Sequence, residues 1–415
     1  MPTLEVDTDP AEVGVDADRL ARIDARLGRY VDDGSLAGWL CVVARHGRVV
    51  HCSARGVRDL ASGAPVETDT VWRLFSMTKP VTSVAAMMLY EEGAFLLKDP
   101  ISAWLPEWAD VRVWRGGSAQ APVTEPATEP IRVWHLLTHT AGLTYGFHHS
   151  HPVDALYRAA GFEWGAPAGL DLAGASEAWA SLPLVFQPGR EWNYGVSTDV
   201  LGRFVEAVAG MPLDEVFRTR ILEPLGMTDT AFHADERLAA RLASLYVRGG
   251  DGRATETVMG AAARQAPTLL MGGGGLVGTA GDYLRFAEML RGGGALGGVR
   301  LLGTRTVDYM TRNQLPGGAD LETYGRPLFA ETTYDGVGFG LGFSVDLDAA
   351  ASKVQGTEGT YGWGGAASTA FWVDPVEDVS VVFMTQLLPS STYPLRPLLK
   401  ALVSQALVDP VRRPR

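Results

Sequence analysis

Apolar residues over 15–36 recur at helical spacing. Leu20, Ile23, Leu27 and Val31 stand three or four apart, which predicts one amphipathic helix. The period then changes. The stretch WLCVVARHGRVVHC (39–52) has two apolar runs around His46-Gly47, the pattern of a hairpin closed by a two-residue turn. In that register Cys41 lies opposite Cys52. A further strand is expected over 71–75. The next helical stripe, Met77, Val81, Val84, Ala85, Met88 and Leu89, covers 76–92 and stops at Gly93. Pro80 has no amide hydrogen and fits only a first helical turn, so the helix is expected to start with Ser76 as its N-cap.

Residues 116–130, GGSAQAPVTEPATEP, read as a polar loop. Helical patterns follow to about residue 245, for example over 131–137 and 198–208. Strand-like alternation returns over 361–373 and 379–386, a hairpin around 374–378. Helical sequence thus sits between two sheet-rich ends. The expected fold is α/β of the α+β type: an antiparallel sheet flanked by helices, built from both chain ends (1–80 and 270–415). A mostly helical domain (81–269) is inserted, with an active site at the seam.

Composition narrows the function. The 415 residues are 46% hydrophobic and 20% charged, which excludes a disordered or fibrous chain. The net charge of −12 repels phosphate, which excludes nucleic acid and anionic membranes as partners. No apolar run is long enough to span a bilayer. The acidic N-terminal segment has no apolar core of a secretion signal, so a cytoplasmic location is expected. Cys41 and Cys52 then read as free thiols. Homo-oligomerisation stays open.

Three segments carry candidate chemistry. In Ser76-Met77-Thr78-Lys79, positions i and i+3 share a helix face, so hydroxyl and amine can meet. A helix N-terminus stabilises developing negative charge, and the Ser76 N–H is free to bind an oxyanion. A serine needs a base, and a lysine serves once burial lowers its pKa. In 186–195, FQPGREWNYG, a Pro-Gly turn presents Tyr194 just before a helix, where its phenol can shuttle protons beside an ammonium. In Gly362-Trp363-Gly364-Gly365-Ala366, glycines let a backbone or ligand approach closely, and the Ala366 amide becomes a second oxyanion donor.

Together these segments resemble the family VIII carboxylesterases, which are similar to class C β-lactamases and penicillin-binding proteins. The resemblance runs nearly end to end, through ARHG, LFSMTKP, ISAWLPEW, HLLTHTAGLTY (135–145), PGREWNY, PLGM, the glycine run before Val277, and WGG followed by FWVDP. It implies the serine β-lactamase-like fold and a small-molecule ester as substrate. It implies Ser76 as the acylated nucleophile, and Lys79 with Tyr194 as its proton-transfer pair. The amides of Ser76 and Ala366 form the oxyanion hole, and Trp363, Gly364 and Gly365 line the substrate. No cofactor and no metal are implied. Two positions depart from the class C pattern. Val196 stands where Tyr-x-Asn has asparagine, and Trp363 replaces the lysine of the strand motif. Both losses favour small neutral esters over β-lactams.

Other segments carry weaker signals. Gly273, Gly275 and Gly278 match a dinucleotide fingerprint, but no βαβ alternation surrounds them, so they read as a glycine-lined loop near the cleft. His135 and His139, followed by His148, His149 and His151, invite a zinc site, yet HLLTH lacks the glutamate of H-E-x-x-H. No G-x-S-x-G elbow is present. The tryptophans are assigned to core or interface packing by default. The reading is a serine carboxylesterase working through an acyl-enzyme. The alternatives are acyl transfer, hydrolysis of β-lactams or D-amino-acid peptides, and a non-catalytic binding module.

Overall fold

A computed structural model describes residues 4–326 and 333–409. Its central feature is an eight-stranded antiparallel sheet. The strands are β1 (Gly38–Arg45), β2 (Arg48–Asp59), β3 (Ala64–Pro65), β4 (Val337–Phe339), β5 (Ser344–Asp346), β6 (Tyr361–Gly364), β7 (Ala370–Asp374) and β8 (Val379–Thr385). Their order is β4-β5-β6-β7-β8-β1-β2-β3, so both ends of the sequence contribute. The α+β class expected from the sequence is the one observed.

Every residue of β1 and of β8 is buried, because helices cover both faces. Trp39, Cys41 and Val43 point to one face and join a core with Leu20, Ile23 and Leu27, and with Leu395, Leu399 and Val403. These belong to α1 (Arg22–Asp32), the short helix Ala17–Leu20 before it, and a C-terminal helix, Leu395–Ser404. Leu40, Val42 and Ala44 point the other way, into the main core. That core holds α2 (Thr78–Glu91), α3 (Ser197–Ala209) and α4 (Ala280–Arg291). We name the C-terminal helix α5. No helix among the described residues is long and apolar enough to cross a membrane.

Several details differ from the sequence reading. The His46-Gly47 turn is present, with φ of 53° and 74°. However, a bulge between Val43 and Ala44 shifts the register, so Cys41 faces Ser53 and Cys52 faces Val42. Opposite residues share a face, so Cys41 and Cys52 project to opposite sides of the sheet; both are free. The loop expected over 116–130 is largely a hairpin: Arg112–Ser118 pairs with Ala121–Pro126. The expected strand over 361–373 is two strands, β6 and β7, separated by a turn at 365–369. Ser76 is not an N-cap. It lies inside a 3₁₀ turn, Phe75–Met77, and α2 begins two residues later with Pro80 in its first turn.

Candidate active site

α2 is buried almost all round, from Thr78 to Met87, so its first turn is a rigid platform. The chain enters it from a short strand, Val71–Arg73, through Leu74 and Phe75. Phe75 has φ 47°, a left-handed backbone that a bulky residue rarely adopts. Such strain is retained where the surrounding structure enforces it, here one residue before the candidate nucleophile. Among the described residues, neither the Ser76 N–H nor the Ala366 N–H donates to another group. Both amides are left to serve a ligand.

Lys79 is 1% exposed. Its Nζ donates to Ser76 Oγ at 3.2 Å, to Tyr145 Oη at 3.0 Å and to the Gly273 carbonyl at 2.7 Å. The i, i+3 approach expected from the sequence is therefore present. The Lys79–Tyr194 contact takes another form than a hydroxyl pair. Nζ lies 4.5 Å from the centre of the Tyr194 ring, a cation–π contact. The Tyr194 hydroxyl instead accepts from Trp363 Nε1 at 3.1 Å. Tyr145, with no role assigned from sequence, is the phenol that bonds the lysine.

Behind this pair lies Asp199, a fully buried residue on α3. Its Oδ1 accepts from the Gly273 N–H at 2.8 Å, and its Oδ2 has no hydrogen-bond partner. Burial pushes the Asp199 carboxyl up, while the Lys79 ammonium and the Gly273 N–H pull it down. Burial, then the Asp199 charge, pushes the Tyr145 phenol well above its ordinary value. Tyr145 thus keeps its proton at neutral pH. His139 is held well below its ordinary value, by burial first and by Lys79 second, so it is a neutral ring.

The glycine run of the discarded dinucleotide motif has a local task. Gly273 accepts from Lys79 and donates to Asp199, and an added Cβ would lie 2.5 Å from Asp199 Oδ2. The histidines are dispersed. His135 Nδ1 accepts from the Arg132 N–H, His148 Nε2 bonds the Tyr194 carbonyl at 2.8 Å, His149 pairs with Glu163, and His151 caps a helix. Among the described residues no cluster of three or more His, Cys, Asp or Glu side chains has metal-holding geometry.

Ser76, Tyr194 and residues 362–366 line one cleft of about 1200 Å³, counted with its open mouth. Phe147, Tyr334, Val337, Trp363 and Phe371 give it a largely apolar wall. Phe147 stacks on the half-exposed Trp164 at 4.3 Å, extending that wall outward. Large aromatic-lined clefts with a few polar groups are the usual form of small-molecule sites.

The family model described as Beta-lactamase matches residues 23–405. The chain belongs to the beta-lactamase family. Protein Rv1367c of Mycobacterium tuberculosis (strain ATCC 25618 / H37Rv) is 37% identical over 369 residues, 88% of this chain and 89% of its own length. Esterase EstB of Burkholderia gladioli is 33% identical over 396 residues, 91% of this chain and 93% of its own. The solved structure of "EstCE1, a hydrolase with promiscuous acyltransferase activity" matches with a TM-score of 0.77 at 29% identity, covering 96% of this chain and 99% of that one. The resemblance read from the motifs, to family VIII esterases within the serine β-lactamase-like superfamily, is borne out.

Proposed function

We propose that this protein is a serine carboxylesterase that cleaves small carboxylic esters through an acyl-enzyme on Ser76. The observation that carries the reading is Lys79 Nζ, buried and 3.2 Å from Ser76 Oγ at the wall of the cleft. Its relatives named as an esterase and a hydrolase support the same activity. As a neutral amine, Lys79 takes the Ser76 proton while Oγ attacks the ester carbonyl. The Ser76 and Ala366 amides receive the oxyanion. Tyr194 passes a proton to the departing alcohol and is left as phenolate; water then attacks the acyl-enzyme, the phenolate takes the water proton, and Lys79 returns its proton to Ser76 Oγ as the acid leaves. Trp363, Gly364 and Gly365 line the substrate along β6. The cleft lies where the sheet built from both chain ends meets the helical insert, the division we take at residues 81–269. Two free cysteines fit the cytoplasm.

A second reading is acyl transfer, favoured by the acyltransferase activity in the name of EstCE1. It uses the same acyl-enzyme with an alcohol in place of water. Turnover of a short-chain p-nitrophenyl ester, with fluorophosphonate labelling mapped by peptide mass spectrometry, tests the main reading. An adduct on Ser76 together with turnover is expected. Folded protein with neither would overturn it. Faster p-nitrophenol release on titrating an alcohol would bring in the second.

A further inference from the structure

The turn between β6 and β7 carries the Ala366 amide, and three groups pin it. Gly365 N–H donates to the Thr369 carbonyl at 3.0 Å and to Thr369 Oγ1 at 3.1 Å. Ser368, at φ 67°, donates its hydroxyl to the Leu387 carbonyl. The third group comes from α5. Arg396 Nη2 donates to the Gly365 carbonyl at 2.8 Å and to the Thr369 carbonyl at 3.1 Å, the two ends of the turn. Its guanidinium lies so close beneath β6 that a Cβ at Gly364 would stand 2.3 Å from Arg396 Cζ. Any side chain at Gly364 would displace the guanidinium.

The Gly365 carbonyl and the Ala366 N–H are two ends of one peptide group. Across a planar trans peptide they point in opposite directions. A cation bonded to the oxygen draws electron density from the nitrogen, so the N–H on the far side becomes a stronger donor. This is the cooperative polarisation expected of linked hydrogen bonds in a low-dielectric site. A guanidinium suits the task, since it keeps its charge and spans two carbonyls with a fixed planar fork. We propose that Arg396 is a positioning residue of the oxyanion hole, fixing and polarising the Gly365–Ala366 peptide so that its N–H stabilises the tetrahedral intermediate. The inference rests on the reading of Ser76 as nucleophile and of the Ala366 amide as oxyanion donor. It makes the C-terminal helix part of the catalytic apparatus rather than only a cover for the sheet.

The test compares wild type with Arg396→Gln and Arg396→Lys. With p-nitrophenyl butyrate, kcat is expected to fall about 10- to 30-fold in Arg396→Gln with KM within about twofold, below the usual loss for deleting a donor outright. Inhibition by butaneboronic acid, whose adduct mimics the tetrahedral intermediate, weakens in step with kcat. A slow acyl-enzyme formed from carbonyl-labelled p-nitrophenyl trimethylacetate gives the direct signature. Its acyl carbonyl stretch moves to higher wavenumber in Arg396→Gln, because a weaker hole polarises the carbonyl less. Arg396→Lys, with one ammonium for two carbonyls, falls between, and it carries the test if the glutamine variant does not fold. Unchanged kcat and an unmoved carbonyl band in a folded variant would overturn the proposal, as would a rise in KM alone. A wild-type protein that forms no adduct at Ser76 would overturn this proposal together with the reading of Ser76; adduct formation with unaffected variants would overturn this proposal only.

Discussion

Replacing Tyr145 by phenylalanine removes one oxygen and separates two roles for the phenols around Lys79. The oxygen is one of three acceptors on Nζ, with Ser76 Oγ and the Gly273 carbonyl. A hydrogen bond to a charged group contributes about 1.5–3 kcal/mol, and two of the three remain. Tyr145 is also held protonated by burial and by Asp199, so it has no phenolate to offer as a base. Its contribution is therefore orientation of the lysine. A loss near the low end of that range lowers kcat/KM about 10-fold, since 1.4 kcal/mol is a factor of ten. Tyr194→Phe removes a proton carrier and is expected to cost at least about 100-fold. The two variants, assayed with p-nitrophenyl butyrate from pH 6 to 10, should thus differ by about tenfold or more in the stated order. If Tyr145→Phe cost as much as Tyr194→Phe, the proton would travel through Tyr145 and the assignment to Tyr194 would fall.

Three further outcomes follow from named contacts. Trp363→Phe removes the Nε1 donor 3.1 Å from the Tyr194 hydroxyl and should lower kcat/KM about 5- to 10-fold, the scale of one hydrogen bond; an unchanged or faster variant in the same ester assay would refute that support. Gly365→Ala would place a Cβ 2.3 Å from Thr369 Oγ1 and 2.4 Å from the Leu74 carbonyl, so the turn must shift and kcat should fall about 100-fold or more, while activity within threefold of wild type would contradict the role of the Ala366 amide. Asp282 is pushed up to about 6 from 3.8 by burial, against bonds from the Asp229 N–H and Thr230 Oγ1 that act the other way. The folded state then holds this proton more tightly than the unfolded chain, so the stabilisation, about 3 kcal/mol, is complete below about pH 4 and lost as pH rises through 6. Asp282→Asn stays neutral throughout, so its Tm relative to wild type should climb between pH 4 and 7, and a flat difference would show that Asp282 is not the group responsible.

The parts legible in the sequence were those set by local spacing. Ser76 and Lys79 meet because three residues make one helical turn, whatever the rest of the chain does. The hairpin at His46-Gly47 and the helix ending at Gly93 follow from the same kind of local rule. Tyr145 and Asp199 were inside quoted or adjacent segments, yet nothing local marks them. Tyr145 reaches Lys79 across 66 positions, and Asp199 matters only because Gly273 folds back onto it. The Arg112–Ser118 hairpin was hidden because its partner strand is exposed on most positions and holds two prolines in six residues, so no apolar alternation records it. The Cys41–Cys52 register failed on one bulged residue, since a single insertion exchanges the two faces of a strand. The break at 365–369 was hidden because Gly-Ala-Ala-Ser-Thr is short and has no proline, asparagine or aspartate to mark a turn between two aromatic-rich strands.

Trp363 shows how one replacement redirects the site. A lysine at that position would place a mobile ammonium in the cleft, suited to an anionic substrate. The indole instead packs edge-on against Phe339 at 5.4 Å and beside the Tyr194 ring at 5.5 Å, and it spends its only donor on the Tyr194 hydroxyl. Against these rings a substrate carboxylate loses water without a partner, at a cost of several kcal/mol, and the two cations that also line the cleft are engaged by the protein, Arg396 on the Gly365 and Thr369 carbonyls and Lys400 on Asp346. An uncharged ester meets no such cost and gains from contact with the rings. Val196 acts in the same direction, because a buried valine offers nothing to a side-chain amide that a β-lactam presents. The buried Lys79 and the free Ser76 and Ala366 amides, by contrast, address only the atoms common to any acyl transfer. On the proposed reading, the chemistry resides in the turn before α2 and the turn after β6, and the aromatic side chains between them bias the choice of substrate.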